Sequence, residues 1–383
     1  MPTRPKVTVS VVDNSFVVAG SEAQGAHISG MVSLTSPSLV DLFGVTADKQ
    51  VDYMTVETLG DWIAKLNGTT FGGVTGSGPT GSWATDWYSA YNYLTYGGVL
   101  KIAETAATFY DASIALDSMF TSQAIGTHYT AVSNITSYRD DIIGIVGVTY
   151  DGYTGGSTVP STPTAYPALS NADNKLFAVG GEKVMLGISN TGETNYVTIP
   201  LASDAAGCFV RTDRDSQRWF SPAGTRRGRI LNTVRLIKNP TATEQDNLYN
   251  SKINSVIGIA GDGIYLFGDI TQEGTATSSL TRVNVVRLIN YIKKTLGKTA
   301  NAVLFEINDA TTRSLFANAA TGFLQNIKDG RGLYDFKVVC DESNNPAAIL
   351  DSNQFVADIY IKPAKSINYV KVTITNLNTD AQL

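Results

Sequence analysis

Two amphipathic helical patterns, followed by strand patterns, constrain the fold of this chain more than any other feature. From about residue 281 to Gly297, apolar residues recur at the i, i+3, i+4, i+7 spacing that places them on one face of a helix. The same spacing recurs from near Asp309 to just before Gly330. Strand patterns follow at 336–340, 355–361 and 369–375, and the last of them alternates strictly. This succession predicts a mixed α/β unit in the last third of the chain.

The rest of the chain contains more scattered signals. Strand patterns occur at 6–12 and 142–148, a helical pattern at 105–122, and aromatic residues crowd together before a stop at Gly97-Gly98. Gly/Ser-rich or Pro-rich loops are predicted at 71–82 and 151–172. Short strand-like pieces at 176–201 suggest a β-rich insertion. Thr241 and Glu244 have the spacing of a capping box that opens a helix.

Length and composition limit the classes of protein to consider. A chain of 383 residues exceeds one ordinary core, so two or three domains are expected. Its longest apolar run, near 142–148, is far shorter than the roughly 20 residues of a membrane span, and the first residues do not have the pattern of a signal peptide. Only 16% of residues are charged. Such a surface suits packing of protein against protein, although composition alone also fits a soluble protein with many turns.

Charge and cysteine content argue against several ligands. The net charge of −5 gives no global basic excess for nucleic-acid binding. Cys208 and Cys340 have no partners at metal-ligand spacing and imply no disulfide framework, which fits a reducing compartment.

The motifs that would indicate catalysis are incomplete in this sequence. Gly297-Lys298-Thr299 lacks the earlier glycine of a phosphate-binding loop and closes a helix instead of opening one. The glycines of 258–263 precede a strand pattern, so a turn is the better interpretation. The only two histidines, His27 and His128, lie beside no candidate nucleophile. We therefore expect no catalytic residue, no cofactor, no metal and no enzyme activity.

Several segments of the last part resemble the tail sheath family of contractile phages and related injection machines. The similar segments are WFSPAGTRRGRI at 219–230, FGDITQ at 267–272, VNVVRLINYIKKTL at 283–296, LFEINDATTRSLF at 304–316 and VVCDESNNP at 338–346. Phe267 stands where the family usually has Trp. The resemblance extends over about 205–376 and is weaker over 31–100.

The resemblance implies a multidomain α/β (α+β) fold. A compact inner α/β domain is built from both chain ends, and outer domains carry the β-rich insertion. We accordingly expect an N-terminal arm at 1–20, outer sheath domains at 21–271 with the insertion at about 150–205, an inner conserved domain at 272–365, and a C-terminal arm at 366–383. Six copies are expected to form a ring, and rings to stack around a tail tube.

The two chain ends carry the alternation of strands that have no obvious hairpin partner beside them. Each could pair within its own domain, but the resemblance favours donation of both strands to neighbouring subunits. The residues expected in this strand exchange are Val7, Val9, Val11, Val370, Val372 and Ile374.

A basic run without acidic residues lies between Glu273 and Glu306. On a helical wheel, Arg287 and Lys294 fall opposite the apolar face, and Arg282 and Lys293 flank it. This run has two interpretations: an ordinary solvated face, or a contact with an acidic tail tube. The residues proposed for the tube contact are Arg282, Arg287, Lys293 and Lys294.

The function implied is that of a structural subunit whose sheath contracts and drives the tube through a host envelope. The implied partners are further copies of the chain, a tail tube protein, and baseplate and tail terminator proteins, without nucleic acid or direct membrane insertion. The implied location is the virion, after assembly in the host cytoplasm. Two alternatives remain: another virion protein, such as a tube or capsid subunit, or an outer domain within 100–235 that acts as an enzyme or binds glycans.

Overall fold

In the computed structural model, the described residues are 30–34, 53–56, 58–66, 84–98, 100–104, 123–126, 143–148, 150, 175–188, 195–274 and 278–366. The predicted strands at 6–12 and 369–375, the predicted helix at 105–122 and the predicted loops at 71–82 and 151–172 lie outside these residues.

The described strands fall into four sheets. They are β1 (Gly30–Leu34), β2 (Tyr53–Val56), β3 (Leu100–Glu104), β4 (Gln123–Gly126), β5 (Ile143–Val148), β6 (Leu176–Gly180), β7 (Glu182–Leu186), β8 (Tyr196–Pro200), β9 (Arg235–Leu236), β10 (Ile253–Asn254), β11 (Val256–Ile259), β12 (Gly263–Leu266), β13 (Leu333–Val339) and β14 (Asp358–Pro363). The described helices are α1 (Leu59–Leu66), α2 (Ala84–Thr95), α3 (Ala202–Asp215), α4 (Ala242–Asn250), α5 (Val283–Val303), α6 (Ala310–Asp329) and α7 (Ala347–Asp351). None of these helices is long and apolar enough to cross a bilayer.

A seven-stranded sheet in the order β10-β6-β5-β4-β1-β3-β2 forms the largest layer. All neighbours pair in parallel except β2 and β3. Every residue of β5 is buried, as expected for a strand covered on both faces. The buried strand predicted near 142–148 is therefore confirmed.

The strands predicted at 176–201 also exist, but they divide between two sheets. β6 pairs with β5 and joins the large sheet, whereas β7 pairs with β8 and β9 in a small antiparallel sheet. The predicted turn in the glycine-rich stretch at 258–263 is confirmed as the tip of the β11–β12 hairpin, where Gly261 has φ +79°. The domain boundaries stay a prediction.

The aromatic-rich segment forms α2, which packs in the first hydrophobic cluster together with buried residues of α3, β5 and β6. Trp87 stacks on Trp62 with ring centroids 5.7 Å apart, and both are fully buried. The helix ends at Thr95, and Gly97 takes φ +82° just after it. Tyr96 packs so tightly on α3 that a Cβ at Gly207 would lie 2.3 Å from its ring. Glycine at this position therefore sets the distance between α2 and α3.

The capping box predicted at Thr241 is confirmed. The Thr241 side chain accepts from the backbone N–H of Glu244, and the Glu244 carboxylate accepts from the backbone N–H of Thr241 at 2.7 Å. We expect Thr241→Ala to lower the free energy of unfolding by about 1 kcal/mol, because the N–H of Glu244 in the first turn loses the hydroxyl that accepts from it. Denaturant unfolding would measure the loss. Thr243→Ala, two residues into the same helix, is the matched control and should cost less.

The two long C-terminal helices differ from their predicted bounds at one end only. α6 begins as predicted, because Asp309 caps it by accepting from the N–H of Thr312 at 2.7 Å. α5 does not end at Gly297, as predicted, but continues to Val303. A mid-helix glycine costs only about 1 kcal/mol. Ala300 and Val303 pack against a second hydrophobic cluster and so support the additional turns. The buried members of this cluster include Leu288, Ile292 and Leu296 of α5 and Phe316, Leu324 and Ile327 of α6.

Candidate assembly site

Helices α5 and α6 and the antiparallel hairpin of β13 and β14 form the C-terminal unit of the described chain. No described strand pairs with the outer edges of this hairpin. β13 and β14 pair with each other from Phe336 opposite Ile361 to Val339 opposite Asp358. Each outer edge presents a row of backbone N–H and C=O groups. An extended segment needs such an edge in order to join a sheet.

The two faces of this hairpin differ in character. One face packs on the second hydrophobic cluster, which α5 and α6 largely supply, through Phe336, Val338, Ile359 and Ile361. On the opposite face, Lys337 lies across from Tyr360, whose side chain is largely exposed. A donated strand with alternating apolar and polar residues would continue both faces.

The hairpin depends on the helices beneath it, because a two-stranded sheet is marginal in water by itself. Phe316 of α6 meets Phe355, just before β14, edge to face at 5.3 Å between ring centroids. Tyr291 of α5 meets Phe323 of α6 in the same way at 5.5 Å. The helices therefore hold the hairpin in place, and among the described residues no third strand pairs with either of its edges.

Helix α5 is shared between two hydrophobic clusters. Val283 and Val286, near its start, belong to the first cluster, whereas Leu288 and Ile292 belong to the second. Asn284 reinforces the junction, because its Nδ2 donates to the carbonyls of Trp219 at 3.3 Å and Ala364 at 3.0 Å. One continuous helix therefore connects the cluster beneath the hairpin with the first cluster.

The prediction that Arg287 faces outward is wrong. Its side chain is only 7% exposed and forms an ion pair with Asp213 of α3. Its guanidinium also lies 4.9 Å from the ring centroid of Phe209. A helical wheel assumes a single core, but α3 covers the side of α5 that the wheel assigned to solvent.

The remaining basic residues of α5 do not form a single outward surface either. Arg282 donates to Asp269 at 3.0 Å and lies 3.5 Å from the hydroxyl of Tyr249. Lys293 is buried, and Lys294 is half-buried. The six residues expected in strand exchange, Val7, Val9, Val11, Val370, Val372 and Ile374, lie outside the described residues.

The sequence did not predict a fully buried ion pair that lies in the first cluster. Lys183 of β7 donates to Asp204 of α3 at 2.8 Å, and both side chains are 0% exposed. The same ammonium donates to Asn92 of α2 at 2.9 Å and to the carbonyl of Leu231 at 2.7 Å. Tyr96 donates to Asp204 at 2.7 Å. The network ties three elements together at one point.

Burial governs the ionisation of this network. Desolvation lowers the pKa of Lys183, and the Asp204 carboxylate opposes that shift. Desolvation also raises the pKa of Tyr96 well above its usual value, and the negative charge of Asp204 raises it further. Because the ion pair is closed off from solvent, it can orient α2, α3 and β7 but cannot reach a substrate. The only sequence signal would have been a lysine directly before the apolar residues Val184, Met185 and Leu186 of β7.

The two cysteines are free and buried. Desolvation raises the pKa of Cys208 to about 12 and that of Cys340 to about 11. Both thiols are therefore protonated near neutral pH and are poor nucleophiles. Over the described ranges, no three His, Cys, Asp or Glu side chains are grouped so as to hold a metal ion.

Comparison with known proteins gives matches to one family. Residues 275–376, which contain α5, α6 and the hairpin, match the phage tail sheath C-terminal domain. Over 183 residues, or 48% of this chain, the sequence is 48% identical to the tail sheath protein of Vibrio phage KVP40. It is 44% identical, again over 183 residues, to that of Enterobacteria phage T4. These matches span only 27% and 28% of the two relatives.

The fold is shared over a longer stretch than the sequence. The sheath complex of the extracellular contractile injection system PVC, in its contracted state, aligns with a TM-score of 0.72 over 98% of each chain, at 14% identity. The contracted helical sheath of the anti-feeding prophage aligns with a TM-score of 0.69 over 98% of this chain and 99% of that chain, at 12% identity. At these identities, the likeness concerns the fold alone.

Proposed function

We propose that this chain, whose residues 275–376 match the phage tail sheath C-terminal domain, is a member of the tail sheath family and a structural subunit of a contractile sheath. The observation that carries the proposal is the hairpin inside the segment that matches the sheath domain, because no strand of the described ranges pairs with its outer edges. The fold shared with contracted sheaths of injection systems supports it over the whole chain.

In this proposal the hairpin accepts strands from neighbouring copies. The alternating segments around Val9 and Val372 are the donors, one for each outer edge. Each added strand contributes about four hydrogen bonds, worth about 1 kcal/mol each, together with apolar burial. A single link is modest, but every subunit takes part in several, so the mesh is strong through multivalency.

Contraction is proposed to draw on energy stored in the lattice. The matched domain offers no fuel-binding motif, and Gly297-Lys298-Thr299 lies inside α5. The extended lattice is then a metastable packing that the tube templates. A kinetic barrier separates it from a wider packing of lower energy. The α5 helix, shared by both clusters, allows each subunit to move as one body.

The other partners follow from the same proposal. They are a tail tube protein, baseplate and tail terminator proteins, with assembly in a host cytoplasm and residence in the virion. The subunit is not an enzyme. Of the four residues proposed for the tube contact, Arg287 and Lys293 are buried, whereas Arg282 and Lys294 are half-buried and remain the candidates.

Electron microscopy of the purified protein tests the proposal. We expect striated tubes of stacked rings, formed without added nucleotide or metal. Elemental analysis should find no stoichiometric metal, because assembly depends on protein surfaces alone. Monodisperse particles at every protein concentration, or assembly that requires ATP, would contradict the proposal.

A further inference from the structure

The most concentrated positive charge of the chain lies outside the C-terminal helices. Residues 216–243 contain no acidic residue but six basic ones. Arg226 and Arg229 within this stretch are exposed. The acids that flank the stretch pair with other residues, since Asp215 pairs with Arg214 and Glu244 with Lys238. In the described part of the chain, no ion pair involves Arg226 or Arg229.

A rigid loop presents these arginines. The arginine loop, residues 224–229, is closed by a hydrogen bond of 2.7 Å in which the N–H of Gly228 donates to the carbonyl of Gly224. Two further backbone bonds fix it to Leu266 of β12. Gly228 cannot carry a side chain, because a Cβ there would lie 2.7 Å from the Leu266 carbonyl oxygen. Such a loop loses little conformational entropy when a partner binds.

Arg211 supports the loop from below. Its guanidinium donates to the carbonyls of Arg227 and of Arg229, the latter at 2.7 Å, and lies over the ring of Tyr96. Arg227 donates to the Ser221 carbonyl at 2.6 Å and packs on Phe220. Backbone carbonyls and aromatic rings hold these guanidinium groups, so their positive charge is not cancelled locally.

The chain carries a complementary surface in the C-terminal unit. Residues 338–361 contain no basic residue but four acidic ones. Asp341, Glu342 and Asp351 are exposed. This acidic loop, residues 341–351, includes the short helix α7 and is fixed by hydrogen bonds of Asn345. Its amide donates to the carbonyls of Asp341 at 3.1 Å and Val356 at 2.8 Å, and its side-chain oxygen accepts from the N–H of Val356 at 2.8 Å. No described ion pair joins the acidic loop to the arginine loop of the same chain.

We propose that the arginine loop of one subunit docks on the acidic loop of another copy of this chain, as a second contact besides strand exchange. The inference rests on the proposed function. An open helical stack requires heterologous contacts, in which two different patches of the same chain meet. Two rigid loops of opposite charge meet that requirement, and a charge-based contact can break and re-form when the lattice changes.

Charge reversal with compensation tests the contact. We expect Arg226→Glu/Arg229→Glu, and separately Glu342→Lys/Asp351→Lys, to raise the critical concentration for polymerisation about tenfold, or about 1.4 kcal/mol. In the quadruple variant, which combines both reversals, the critical concentration should return close to that of the wild type. Lys298→Glu/Arg331→Glu makes the same change of charge outside both loops and is the matched control. Circular dichroism of each variant checks its folding, and sedimentation at two salt concentrations measures assembly.

Three results would overturn the proposal, and they differ in what else they affect. If wild-type protein polymerises and the arginine-loop reversal does so equally well, the contact is absent while the proposed function stands. Failure of the quadruple variant to recover, with folding intact, excludes the acidic loop as the partner. If wild-type protein never polymerises, the proposed function falls and the contact falls with it.

Discussion

Deleting residues 368–383 is expected to leave a folded protein that no longer polymerises. The deletion begins beyond β14, which ends at Pro363, so both hydrophobic clusters keep all of their described members. It removes the alternating segment around Val372, which is one of the two strands that we propose each subunit donates. About four hydrogen bonds worth about 1 kcal/mol each are lost per link. Because each subunit is linked several times, the effect on the polymer is multiplied. Deletion of residues 1–14 should act in the same way.

Substitutions that follow the alternation provide a finer version of this test. Val370→Asn/Val372→Asn alters the apolar face of the donated strand and should prevent assembly. Lys371→Gln/Thr373→Gln alters the opposite face of the same segment and should leave assembly nearly unchanged. Size-exclusion chromatography with light scattering would give the oligomeric state. A synthetic peptide of residues 366–383 should bind the truncated protein by calorimetry. Normal tubes from both truncated proteins would contradict the donated-strand proposal.

The substitution Asp204→Asn is expected to lower the free energy of unfolding by about 3–5 kcal/mol. Asparagine retains an oxygen that can accept from Lys183 and Tyr96, so the change removes charge with little change of shape. The Lys183 ammonium, which is 0% exposed, is then left without its counter-ion. Such a loss is a large fraction of the roughly 5–15 kcal/mol that stabilises a typical domain.

Two variants control for this interpretation. Asp215→Asn removes an ion pair with Arg214 whose side chains are 52% and 57% exposed, and it should cost no more than about 1 kcal/mol. Lys183→Met combined with Asp204→Asn should recover part of the loss, because the uncompensated charge is then absent. Urea denaturation of all three variants gives the comparison. Equal midpoints for Asp204→Asn and wild type would show that the pair carries no stability.

Local signals of the sequence determined much of the framework. The capping box at Thr241 and the apolar spacing that begins near Asp309 placed two helix starts correctly, because both signals depend only on residues close in sequence. The apolar run of β5 was assigned correctly as a buried strand, because its burial follows from its own composition. Likewise, the sheath-like segments of the last part have a fixed order, so the resemblance to the sheath domain that residues 275–376 match was visible in the sequence.

The tertiary structure alone decided which charges are buried and which surfaces are free. The sequence placed Arg287 in solvent, yet α3 covers it, because α5 lies between two clusters and a wheel describes only one. Lys183 is buried because residues distant in sequence, Asn92 and Asp204, close around it. The arginine loop likewise depends on bonds to Leu266, nearly forty residues away. Periodicity records what a segment prefers by itself, whereas the exposure of a charge depends on what other segments bring against it.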